Sequence, residues 1–407
     1  MSSPANKVRS QLSWLLYLTP LVAIGPISTD LYLPAMPQMA TGLSATVAEI
    51  QMTLSLFMLG FAFSQLLTGP LSDRFGRRPM ILAGMTLYFA ASVVCIYAPN
   101  VEVLIAARFV QAFGSCTGTV LGRAIIRDVY SPKESLRVMG ILGAAMAVAP
   151  ALAPIIGSWL LEHFGWQSNF VAMAIFAAGL LGATLLAYEE TNQYRGQSSI
   201  TPFGIARNFW SLLQNKTFRG YGGVMSLMFG GLFAFISGAP VVLINDMGMT
   251  PKQFGYAFSV MVVGYAVGSI LVGQLSKIYS AKIVVGIGVC IVLAASTVMA
   301  LLAYTGHHNA WAILVPNGVF SLGFGLAVPA CMAASIGPFP RLAGSAASLI
   351  GFCQGTLGFL SGWVVSKLYD HSPVGLVTTI FGFGLLTFIM YITQARTAHD
   401  GISPEEK

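Results

Sequence analysis

Twelve apolar runs, each close to the length that crosses a bilayer, punctuate the chain at 14–36, 48–70, 80–98, 101–122, 138–161, 168–187, 221–243, 254–274, 283–303, 311–333, 344–366 and 374–393. A helix rises about 1.5 Å per residue, so about 20 apolar residues span the hydrocarbon. Backbone polar groups in lipid must bond within their own segment, which selects helices over open strands. Composition agrees: 56% of the 407 residues are hydrophobic and 9% are charged, against about 25% charged in soluble domains. A soluble enzyme is excluded, and so is a disordered chain, which needs low hydrophobicity and high charge. The reading is an all-α polytopic membrane protein with twelve transmembrane helices in two six-helix halves.

The net charge is +7, and its placement carries more information than its size. With the N-terminus in the cytoplasm, all but three of the 21 Lys and Arg fall on cytoplasmic segments, among them Lys7, Arg9, Arg74, Arg77, Arg78, Arg127, Lys133, Arg195, Lys216, Lys282 and Arg396. Lys252 and Lys367 fall outside, and Arg108 lies within a span. That bias places both termini in the cytoplasm. The basicity is a topology signal, so no nucleic-acid partner is expected. Cys95, Cys116, Cys290, Cys331 and Cys353 all fall inside expected spans without metal-ligand spacing and read as small buried hydrophobes. The polar start MSSPANKVRSQ leads into an apolar run with no small-residue cleavage site, so the first span is expected to be retained.

The polar stretch 188–219 divides the chain into an N-terminal six-helix bundle (1–187), a cytoplasmic connector (188–219) and a C-terminal six-helix bundle with a short tail (220–407). A short amphipathic segment is expected around Ile205–Leu213. The halves repeat faintly: Leu67, Gly69, Leu71, Ser72 and Gly84 recur 204 residues later as Leu271, Gly273, Leu275, Ser276 and Gly288. Paired halves are a transporter signature, with the substrate site at their interface near mid-membrane. The copies differ in charge. Asp73 corresponds to Lys277, and the Arg77–Arg78 pair has no basic match, so charged chemistry concentrates in the first half.

Ionisable side chains within hydrocarbon are costly and usually functional. Of 14 acids, only Asp30 lies clearly inside a span, and Arg108 is the one base expected deep in one. Counted from their helix ends, both lie very roughly 6–10 Å below the outer surface and can share a plane of the membrane. Burial and a neighbouring guanidinium act on a carboxyl in opposite directions, which can poise it for proton exchange. The five histidines fall in loops or the tail, so Asp30 is the better intramembrane proton carrier. A static pair holding two helices together is the simpler alternative.

The loop Gly69-Pro-Leu-Ser-Asp73-Arg74-Phe-Gly76-Arg77-Arg78-Pro79 combines tight-turn glycines, a helix-starting proline and an acid within reach of three guanidinium groups. Such a cluster can act as a conformational latch on the cytoplasmic side. Substrate-cavity candidates are Tyr32, Gln51, Gln65 and Gln111 in the first half, and Phe233, Phe235, Tyr265, Asn317 and Gln354 in the second. Aromatic faces and a few amides suit a small amphiphile. No buried charge is evident in the second half, which favours a neutral or weakly charged one. The sequence has no phosphate-cradling Gly-x-x-x-x-Gly-Lys loop and no intramembrane metal-ligand cluster. Neither cofactor nor metal is expected, and an ion gradient is left as the energy source.

These motifs resemble a known family. The 69–79 loop is similar to motif A of the major facilitator superfamily. Ser28-Thr-Asp30-Leu-Tyr32-Leu-Pro34-Ala-Met-Pro37 and Met52-Thr-Leu-Ser-Leu-Phe-Met-Leu-Gly60-Phe-Ala-Phe-Ser-Gln65 resemble the bicyclomycin/chloramphenicol-resistance (Bcr/CflA) branch of drug:proton antiporters. Arg108-Phe-Val-Gln111-Ala-Phe-Gly114 is similar to motif B, whose arginine is tied to proton coupling in the family. Arg127-Asp128-Val-Tyr130, Gly165-Trp166-Gln167 and Ala343-Gly344-Ser345-Ala346-Ala347 add matches. In the fifth span, Pro150, Pro154 and Gly157 resemble the kinked antiporter motif C, although Ala153-Pro154 and Gly157-Ser158 depart from the usual Gly-Pro and Gly-Gly. The resemblance implies a monomeric, multi-pass protein of the bacterial inner membrane, exporting a drug-like amphiphile in exchange for protons by alternating access. Asp30 and Arg108 would couple the proton. A proton-coupled metabolite transporter, of a nucleoside or sugar, and a non-transporting receptor are the alternatives.

Overall fold

The computed structural model describes residues 4–192, 202–339 and 342–397. Arg195 and His399 lie outside the described residues, as do the side chains of Lys7, Arg9 and Lys133. The chain folds into helices α1 (Pro4–Asp30), α2 (Met36–Gly42), α3 (Val47–Phe75), α4 (Arg77–Ile96), α5 (Val101–Val129), α6 (Pro132–Phe164), α7 (Gln167–Ala187), α8 (Pro202–Gln214), α9 (Lys216–Pro240), α10 (Pro251–Leu275), α11 (Ala281–Tyr304), α12 (Ala310–Ile336), α13 (Ala343–Leu368) and α14 (Val374–Met390). Among the described residues there are twelve membrane-length helical spans and no strands. The first span continues from α1 through a 3-10 turn at Leu33–Ala35 into α2, where Pro34 interrupts the regular ladder. A π-helical turn, Val241–Asp246, extends α9.

Several helix starts follow from local chemistry. Thr46 and Glu49 form a capping box on α3, and Thr250 and Gln253 do so on α10, with Pro251 in the first turn. Asn100 and Asn309 cap α5 and α12 through their side-chain oxygens. The connector begins directly after α7, and the amphipathic segment expected near 205–213 lies on α8. There Leu212 is buried while Trp210 is exposed, and the helix packs against α9 and α13.

Within the first half, α5 packs against α1, α3 and α4, and within the second α12 packs against α9, α10 and α11. The internal repeat acquires a physical meaning at two of these crossings. A Cβ on Gly114 of α5 would meet the carbonyl of Gly84 on α4, and a Cβ on Gly288 of α11 would meet the carbonyl of Gly323 on α12. Small residues let backbones approach where lipid supplies no hydrophobic drive between helices. The two halves meet along α3 against α13 and α6 against α10. Twelve crossings return α14 to the side on which α1 begins, here the terminal side, opposite the far side.

Several helices extend beyond the apolar runs, and two of these extensions bear on the site and the connector. α5 continues seven residues past position 122 and therefore carries Arg123 inside the helix. Hydropathy falls at Arg123, but the backbone ladder does not need an apolar side chain to continue. α9 begins at Lys216, where the Asn215 side chain accepts from the backbone of Thr217 and Phe218.

A candidate substrate cavity between the halves

A cavity of about 420 Å³ lies between the two halves. Its apolar wall includes Phe57 and Phe61 of α3, Phe229 and Phe233 of α9, and Phe324 of α12. Its polar wall includes Thr29, Asp30, Gln65, Arg123, Tyr265, Ser321 and Gln354. Along α3 it runs from Phe57 toward the terminal side as far as Gln65. Beyond Asp30 the far side is shut. The Leu33–Ala35 turn packs on α9 and α10, and α2 packs on the Val241–Asp246 turn. Gln51 Nε2 donates to the Ser237 carbonyl across the halves at 3.4 Å. Ser259 Oγ donates to the Ala151 carbonyl at 3.3 Å.

Asp30 is buried and lines the cavity, and its carboxylate accepts from Thr29 Oγ1 at 2.8 Å. Arg108 is fully buried on α5. It donates through Nη1 to Gln111 Oε1, and through Nη2 to the Ser28 carbonyl at 2.7 Å. The guanidinium stands 4.3 Å from the centre of the Phe57 ring and 4.5 Å from that of Tyr32. Gln111 in turn donates to Ser92 Oγ at 2.7 Å, and Tyr32 OH pairs with Thr53 Oγ1 at 3.0 Å. Asp30 and Arg108 do share a depth, since Arg108 reaches a carbonyl two residues before Asp30. They form no ion pair within 4.0 Å, because the arginine fork is engaged by Gln111 and Ser28 while Asp30 faces the cavity.

The 69–79 loop forms its own network at the terminal side. Gly76, at φ +103°, separates α3 from α4, a conformation that suits a residue without Cβ. Arg77 bonds Asp73 at 2.6 Å, Asp128 at 3.0 Å and Ser72 Oγ. Glu190, just past α7, accepts from the backbone N–H groups of Arg77 at 2.9 Å and Arg78 at 3.1 Å. It thus places a carboxylate on the N-terminus of α4. Asn192 Nδ2 donates to the carbonyl of Asp73 at 3.1 Å. Arg78 donates to the Leu185 carbonyl at 3.1 Å, and Arg74 is exposed beside the Phe75 ring. A Cβ on Gly69 would meet nothing within 4 Å. These partners all belong to the first half or to the start of the connector.

The structure divides the cavity candidates into two groups. Gln65, Phe233, Tyr265 and Gln354 line the cavity. Tyr32, Gln51, Gln111, Phe235 and Asn317 do not. Tyr32 and Gln111 pack around Arg108, Gln51 joins the halves, Phe235 packs on Phe258, and Asn317 is buried in α12. Pro150 is at the cavity wall, whereas Pro154 lies against Gly255 and Gly157 lies against Leu31. Arg123 and Glu190 were not singled out from sequence. The signal available for Arg123 was the apolar Ala124-Ile125-Ile126 run after it, which implies that the helix continues. For Glu190 there was none, because its partners lie more than a hundred residues away. Among the described residues no group of three or more His, Cys, Asp or Glu is placed to hold a metal.

A cavity enclosed by two repeated six-helix bundles and shut on one side defines a membrane transporter of small molecules rather than an enzyme. The Major Facilitator Superfamily pattern matches residues 18–362, and the chain belongs to that family. It is 30% identical to a bicyclomycin resistance protein homolog of Haemophilus influenzae, covering 95% of this chain and 97% of the relative. It is 28% identical to multidrug resistance protein D of Escherichia coli, covering 97% and 99%. Among solved structures, it is similar to a bacterial homolog of the human lysosomal transporter Spinster. That likeness has a TM-score of 0.73 and 17% identity, over 97% of this chain and 98% of the other.

Proposed function

We propose that this transporter exports small drug-like amphiphiles across the bacterial inner membrane in exchange for protons. The observation that carries the reading is the position of Asp30. An acid inside a span borders the cavity between the halves, engaged by the neighbouring Thr29 hydroxyl and by no guanidinium. Relatives named for bicyclomycin and multidrug resistance support the substrate class. With the termini in the cytoplasm, as the basic loops indicate, the shut far side is the outer one and the cavity faces inward.

In the proposed cycle, opening outward hydrates Asp30, which takes up a proton as the drug leaves. Rocking inward exposes the same carboxyl to the cytoplasm, where the proton departs and the cavity receives the next substrate. Arg108 contributes by fixing the backbone of α1 at Ser28, two residues from the titrating group. The 69–79 loop and Glu190 hold the terminal side of the first half as one body while the halves rock.

The test uses vesicles containing purified protein and an imposed pH gradient. The wild type is expected to accumulate drug against its gradient, with proton movement in the opposite direction. Asp30→Asn should lose gradient-driven accumulation and still bind drugs that lack an amine. Full gradient-driven accumulation in Asp30→Asn would refute the assignment, and proton movement in the same direction as substrate would indicate symport.

A further inference from the structure

Among the described residues two charged side chains border the cavity, Asp30 and Arg123. The proton step uses the first and leaves the second without a role. Arg123 is half-buried on α5, and among the described residues no carboxylate lies within 4.0 Å of its guanidinium. It differs in this from Arg77, which has two carboxylates, and from Arg108, which has two hydrogen-bond acceptors and a set of rings.

The two charges stand at opposite ends. Thr119, one turn before Arg123 on α5, lies beside the Val22 carbonyl of α1, eight residues back from Asp30. That spacing corresponds to at least about 12 Å along the helix axis. Between the ends lie the phenylalanine rings of α3, α9 and α12, and the buried hydroxyl of Ser321, which has no protein partner. The Arg123 guanidinium, half-buried at the cavity wall with no carboxylate beside it, offers paired N–H donors that an arriving carboxylate or similar anion can engage. At the other end, an amine facing Asp30 competes with the proton for the same carboxylate, which suits an exchanger. A small multivalent anion fits poorly, since its remaining charge would face apolar rings and an acid.

We infer that the substrate is a zwitterionic amphiphile, with an apolar aromatic body, an anionic group held by Arg123 and an amine directed to Asp30. The inference rests on the export reading and narrows it, since a zwitterion is neutral overall yet charged at both ends.

Ciprofloxacin, its methyl ester and its N-acetyl derivative form a suitable probe set, because each derivative blocks one charge and keeps the ring system. Affinities are measured by titration calorimetry on the purified protein near neutral pH. The parent should bind about tenfold more tightly than either derivative. Arg123→Gln should abolish the difference between acid and ester, Arg123→Lys should restore part of it, and Asp30→Asn should abolish the difference between amine and amide. Equal affinities for all three compounds, or no binding of any, overturn the inference. So does an Arg123→Gln variant that weakens acid and ester alike. Flux in vesicles separates the two readings. Equal pumping and equal affinity for all three compounds reject the zwitterion and leave export standing. No gradient-driven flux with the affinity pattern intact rejects export and upholds the ligand class.

Discussion

Arg108 donates to the backbone carbonyl of Ser28 at 2.7 Å, and the carboxylate of Asp30, two residues along the same helix, is outside ion-pairing distance. The deepest positive charge of the first half is thus stabilised by a carbonyl, an amide and aromatic faces rather than by an acid. Asp30 is left to the cavity. A change of charge on Asp30 then need not break a buried ion pair, a step that leaves an uncompensated charge and costs several kcal/mol.

The Arg108 site is expected to tolerate lysine poorly. Lysine keeps the charge but loses the planar fork and the ring stacking. Arg108→Lys should lower stability by about 2 kcal/mol, the scale of a hydrogen bond to a charged group. Thermal unfolding of the detergent-solubilised variant against wild type measures this, and an unchanged midpoint would contradict the described geometry.

Gly157 touches the carbonyl of Leu31, and any Cβ there would overlap it. Gly157→Val should therefore push α6 away from the end of α1 and oppose closure of the far side. The expected outcome is increased labelling of a cysteine introduced at Leu33 by a membrane-impermeant thiol reagent in whole cells, together with reduced transport. Labelling equal to that of the Leu33 cysteine alone would show that the contact does not control closure.

The turn at Gly76 and the carboxylate of Glu190 are coupled through the start of α4. Glu190→Gln should cost about 1 kcal/mol through the weakened cap. Gly76→Ala should cost about 1–3 kcal/mol, because φ +103° is unfavourable for an L side chain and the new methyl group would press on Glu190. In the double variant the two losses should fall short of their sum, since each disturbs the same contact. Unfolding midpoints of the two single variants and the double variant provide the measurement.

Phe57 lies both at the cavity wall and over the Arg108 guanidinium. Phe57→Ala should weaken drug binding about tenfold by removing ring surface from the cavity, and it should also lower the unfolding temperature. Phe61→Ala borders the cavity without covering Arg108, so it should weaken binding with a smaller thermal effect. Equal thermal losses in both variants would argue against the ring's place over the guanidinium.

Much of the architecture was legible because it is local. Twelve apolar lengths specify twelve spans, since the bilayer core is a fixed thickness and a backbone in lipid must satisfy its own hydrogen bonds. Thr46 with Glu49 and Thr250 with Gln253 set their helix starts within four residues, although neither pair was singled out from the sequence. The recurrence of Gly84 as Gly288 was visible in the sequence as a sign of paired halves, and the close helix packing at both came from the structure. The depth of Asp30 and Arg108 followed from counting along α1 and α5. Arg123 was harder to place, because a hydropathy run ends at a charge even where the helix does not.

By itself, then, the sequence determined the number of membrane spans, their halves and the rarity of buried charge, all properties of short segments and of their length. Only the tertiary structure decided which side chains face the cavity, that Arg108 holds Ser28, that Asp30 and Arg123 bound opposite ends of one chamber, and that Glu190 caps a helix 113 positions away in sequence. The reason is rotational. In a helix surrounded by lipid, the outward face is as apolar as the packed one, so the pattern along the chain does not say how each helix turns, and contacts between distant segments make that choice.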